Sequence, residues 1–194
     1  YIQGIDGNTL GLGAANEIQL ASPNLTIESS VSGKPLFTIK TTNTSKTESG
    51  EIKFVKDANN TENDEQLGKI TFYGEDSSNN LTQFAEIISS IGNVTDGSES
   101  GILELKVTEK NGSNTTGLKL TGSSSVNDVI NVEIGAAASS VTKIAGHLSM
   151  LNDSAKITMG TGSDVIITHA DNIGLQLNST NKLMFNDQTQ YIQG

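Results

Sequence analysis

The chain has 194 residues, 22 acidic and 12 basic, with a net charge of −10 and neither Cys nor Trp. That acidity excludes classes that grip nucleic-acid phosphates with Lys and Arg and disfavours binding to anionic membranes; the missing Cys excludes disulfides and thiolate chemistry. Hydrophobic residues make up 34% and aromatics 4%, a thin supply against the roughly 45–50% apolar residues, glycine included, of ordinary globular domains.

The elements, taken in chain order, share a period of two. Residues 1–32 hold short apolar-polar alternations, including Glu17-Ile18-Gln19-Leu20 and Asn24-Leu25-Thr26-Ile27. Residues 33–122 carry longer runs and most of the aromatics (Phe37, Phe54, Phe72, Tyr73, Phe84). Alternation is clear at Glu51-Ile52-Lys53-Phe54, Leu103-Glu104-Leu105-Lys106-Val107 and Leu118-Lys119-Leu120. This half is predicted to be a compact, sandwich-like β domain with a small core of its own. Gln83 to Ile91 fits two patterns: apolar positions 84, 87, 88 and 91 make a helical stripe, and they also suit a strand bent near Ile88. Strand-like flanks favour the strand. Residues 123–147 read as a connector around one strand, Asp128 to Ile134. Residues 148–194 bring short strands in quick succession: Lys156 to Met159, Asp164 to Ile167, Ile173 to Leu177, Lys182 to Phe185 and Tyr191 to Gln193. Polar or glycine turns follow each one. β-Branched residues suit pleated strands, and Asn, Asp, Gly and Ser punctuate them. The expected class is all-β.

Tyr1-Ile2-Gln3-Gly4 recurs as Tyr191-Ile192-Gln193-Gly194. Joined end to start, the quick rhythm of 148–194 runs on through residues 1–32. A chain cut from a longer array, with a unit of about this length, is the expectation; a duplication within one short shaft is the alternative. The rhythm of the two end segments suits a solenoid or an intertwined shaft.

The blocks GKPLFTIKTTN, GEIKFVKD, NDEQLGKITFYGED, FAEI, DGSESGILELKV and GLKLTG resemble a module of tailed-bacteriophage fibre and virion structural proteins, those of marine and cyanobacterial phages most of all. GTGSDVIITHADNIGLQLNSTNKLMFNDQTQYIQG and DGNTLGLGAANEIQLASPNLTIE resemble the repeat shafts of the same proteins. The resemblance is weakest over 123–145. It implies a homotrimeric fibre segment on a virion, outside the cell, touching identical chains, other virion proteins and, weakly, host glycans. It implies no enzyme and no cofactor. A bacterial extracellular adhesin or surface filament is the second expectation.

Strands this thin in apolar residues offset their ordering entropy poorly alone. Three wound chains would share a triple-β-helix or β-prism axis. Ile18, Leu20, Ile157, Met159, Leu175, Leu177, Leu183 and Phe185 are the predicted axis residues.

Candidate chemistry is sparse. His147 and His169 lie far apart without local ligand partners and read as turn and strand-end residues. Gly160 to Ile167 partly matches a calcium-binding nonapeptide, with Met159 in place of its first glycine and no tandem copy. Asp164 is therefore a weak metal candidate beside the simpler reading, an Asp bonding turn N–H groups. Asn63-Asp64-Glu65 and Asp96-Gly97-Ser98-Glu99 read as solvated acidic turns. Glycosidases use paired carboxylates, but glycan sites also want aromatic platforms, and this chain has no Trp. No P-loop, dinucleotide motif or nucleophile elbow is present.

Overall fold

The computed structural model describes residues 2–6, 9–12, 24–178, 181–184 and 191–192. The chain divides into two compact units, Tyr1–Val55 and Lys56–Gly194. Every regular element among the described residues is a strand, and every pairing is antiparallel.

Among its described residues the first unit holds one hairpin, β1 (Ile2–Asp6) with β2 (Thr9–Leu12). The first YIQG copy thus enters β1. Residues 24–55 form no strand, which corrects the strands expected at Asn24 to Ile27 and Glu51 to Phe54. Alternation makes a run fit to be a strand, but only a partner's N–H and C=O groups make it one. Leu25, Leu36, Phe37, Ile52 and Phe54 lie exposed along this stretch.

In the second unit, β3 (Gln66–Glu75), β4 (Leu81–Asn93), β5 (Ser100–Thr108), β6 (Asn114–Gly122) and β7 (Ile130–Ile134) form one sheet in sequential order. The ambiguous stretch 83–91 is strand throughout, and Ile88 pairs in register with Lys69 and Glu104. Turn chemistry explains the meander. Asp76 closes the β3–β4 turn, accepting from the backbone N–H of Ser78 (2.8 Å) and of Asn80 (2.9 Å), while Asn79 takes the left-handed conformation at φ 61°. Gly112 does the same for β5–β6 at φ 81°. Register shifts mark β-bulges near Leu67, Phe84, Gly92 and Gly117, which bend and twist the strands they interrupt.

The compact domain expected over 33–122 is thus a single-layered meander over 66–134, not two packed sheets. Ile88 is the one buried hydrophobic side chain among the described residues, at 4% exposure.

A second sheet contains β8 (Lys156–Met159), β9 (Val165–Ala170) and β10 (Gly174–Leu177) in the order β10-β9-β8. A last hairpin pairs β11 (Leu183–Met184) with β12 (Tyr191–Ile192), the first two residues of the second YIQG copy.

Candidate interaction surface

Strand register sorts the five-stranded sheet into two unlike faces. One row across it reads Ile70–Ile87–Leu105–Leu118–Ile134 and the next but one reads Gly68–Ser89–Leu103–Leu120–Val132. Phe72, Val107 and Ile130 extend this apolar face. The opposite face carries Lys69–Ile88–Glu104–Lys119–Glu133 and Thr71–Glu86–Lys106–Thr116.

Exposure on β5 runs against polarity. Leu103, Leu105 and Val107 are exposed, whereas Glu104, Lys106 and Thr108 are half-buried. The charged face covers itself. Lys106 Nζ lies 3.2 Å from Glu104 and 3.9 Å from Glu86, and the Thr116 hydroxyl donates to Glu104 at 2.7 Å. Partial burial pushes the Glu104 carboxyl up, but the Thr116 hydroxyl and the Lys106 ammonium, with Lys119 beyond, hold it below the usual carboxylate range. Charges alternate in sign along the row, which favours cross-strand pairing. Ile88, on this same face between Lys69 and Glu104, is buried.

The apolar face has no such cover. Ile70, Phe72, Leu103, Leu105, Val107, Ile130, Val132 and Ile134 each keep 40% or more of their surface exposed. Contiguous apolar patches of that extent on a folded surface mark contact sites.

The three-stranded sheet gathers four predicted axis residues. Ile157 and Leu177 flank Ile167 in one row, and Met159 and Leu175 fall on the same face by alternation. Ile157, Met159 and Leu175 are exposed and Leu177 is half-buried. Leu183 belongs to the separate β11–β12 hairpin. Ile18, Leu20 and Phe185 lie outside the described residues.

The candidates for chemistry do not converge. His169 sits in β9 opposite Leu175, with its N–H donated to Ala155 O at 2.9 Å; His147 is in an exposed loop. Asp164 is exposed, its carboxylate close against Gly160 and Gly162. Its backbone carbonyl accepts from Asn181 Nδ2 at 2.8 Å. Asp64 takes φ 66° and donates its N–H to Ile91 O, and Glu65 pairs with Lys56. Lys56, hydrogen-bonded to Glu65, holds that carboxyl below its ordinary value. Asp96 and Glu99 flank Gly97, which turns at φ 76°. Among the described residues no three His, Cys, Asp or Glu side chains come together as metal ligands.

The bare face of the meander was only half legible in sequence. The alternation in LELKV and LKL marks an apolar side, but it reads equally as the inside of a sandwich. No family model, curated protein or solved structure matches this chain.

Proposed function

We propose that this chain is a structural, non-enzymatic segment of a homotrimeric fibre on a tailed-phage virion, spanning between virion and host surface. In this reading short-strand segments wind with their counterparts in two other copies as a β-shaft, and the meander sits along it as a broader station. Weak contacts with host glycans add by multivalency if the unit repeats.

One observation carries the self-assembling part of the reading. Among the described residues Ile88 is the one buried apolar side chain, while Leu103, Leu105, Val107 and Ile134 stay exposed. So little burial does not offset chain entropy. Burial between copies supplies the rest, and intertwined strands also hide edges such as β3 and β7 that would otherwise recruit strangers. The phage assignment is supported by the resemblance of residues 33–122 and of the end segments to fibre modules.

The test is the mass and shape of the native particle, by light scattering and electron microscopy. An elongated particle of three chains is expected; a compact monomer of 20.4 kDa sinks the reading. A bacterial surface filament is the second reading, favoured by the same shortage of burial. Secretion or anchoring signals in the full gene would support it, and neighbouring tail genes would support the phage fibre.

A further inference from the structure

We propose that the apolar face of the β3–β7 meander is the contact between copies of this chain, the faces of the three copies turned inward around one axis, with the charged face turned to water. The proposal rests on the self-assembling reading above and names the surface that assembles.

Area argues for it first. Eight exposed side chains on this face, if each can offer on the order of 200 Å² and shows about half of it, present on the order of 800 Å², about one partner's share of a standard interface. Chemistry argues next. The rows through Ile70, Leu105 and Ile134 and through Leu103 and Val132 hold no charge, so like faces meet without repulsion although each chain carries −10. Every ionic group of the central strands lies on the other face. Sheets packed through alternating inner residues sit about 10 Å apart and bury such rows well.

The occupant is a second copy because the shortage of cover is not confined to this sheet. Leu36, Phe54, Ile144 and Leu175 are also bare. An unrelated partner fitted to the meander would leave those uncovered. Copies running alongside bring each bare stretch to its equivalents around one shared axis, as a closed threefold ring allows.

The chain contains no Cys, so single thiols report burial cleanly. Leu105→Cys on the apolar face and Lys119→Cys on the charged face would be labelled with a polar maleimide in the native particle, whose mass is measured in parallel. We expect a particle of several chains in which Leu105→Cys reacts at least about tenfold slower than Lys119→Cys, since reaction must await opening of the contact. Val107→Cys serves as a second reporter should Leu105→Cys not assemble. Equal labelling in an oligomer would overturn this proposal and leave the fibre reading standing. A monomer with Leu105→Cys protected would mean that another segment of the same chain covers the face, overturning both. A monomer with the thiol reactive would also overturn both.

Discussion

Glu104 and Leu105 are consecutive residues of β5, and the carboxylate is the better covered of the two: the Glu104 side chain is 20% exposed and Leu105 40%. Alternation sends them to opposite faces. Glu104 meets Lys106 and Thr116, and Leu105 meets no opposing layer within its own sheet.

Truncating each residue separates a face used in assembly from a face left in water. Leu105→Ala is expected to cost about 2–5 kcal/mol per chain if its face is packed, as for other core leucines. Lys119→Ala should stay within about 0.5 kcal/mol, as surface changes do. Guanidinium unfolding at several protein concentrations measures both. A Leu105→Ala effect as small as that of Lys119→Ala would count against a packed face.

Acid should weaken the charged face in a defined direction. Glu104 is held below its ordinary value of 4.5 in the folded chain. Its contribution is therefore present above that value and is lost as pH falls through the lower folded one. Glu104→Gln should lower stability by about 1 kcal/mol at neutral pH, in keeping with a partly covered ion pair. Below the ordinary carboxylate range the two proteins should converge. Melting curves from neutral to acid pH give the comparison, and a gap that widens in acid would contradict the sign.

The β3–β4 turn depends on a residue that tolerates positive φ. Asn79 sits at 61°, where a β-branched side chain crowds its own backbone at about 1–2 kcal/mol. Asn79→Val should lose stability of that order, and Asn79→Gly should keep it within a few tenths of a kcal/mol. Equal melting of the two variants would show that the turn does not limit the sheet.

Gly160 and Asp164 lie in the turn between β8 and β9 of the three-stranded sheet. Gly160 takes φ 90°, and a Cβ there would run into the Asp164 carboxylate. Gly160→Ala should speed amide exchange at Ile157 and Ile167, which pair across β8 and β9. Calcium and then EDTA should leave the wild-type unfolding midpoint unchanged. A calcium-dependent rise that disappears in Asp164→Asn would give this turn a metal after all.

Local periodicity carried much of the strand assignment. Leu103 to Val107, Leu118 to Leu120, Lys156 to Met159 and, from Gly174 on, Ile173 to Leu177 alternate in sequence and are strands, because the side-chain alternation of a pleated backbone is written into neighbouring residues. Gln83 to Ile91 could not be decided that way, since its offsets suit two periods. Pairing with Lys69–Phe72 on one side and Gly101–Val107 on the other makes it a strand.

Local alternation was therefore enough for the all-β class and for the two faces within each uninterrupted run. It did not determine which alternating runs find partners. Glu51 to Phe54 alternates as well as Leu103 to Val107 does, yet forms no strand. Nor did it determine whether an apolar face is inside or outside. The strand pairing shows that β3 to β7 make one sheet, with its ionic side half-covered and Leu103 and Leu105 exposed. The reason is physical: alternation is a property of successive residues, whereas hydrogen-bond pairing and burial depend on what lies across the strand and across the sheet.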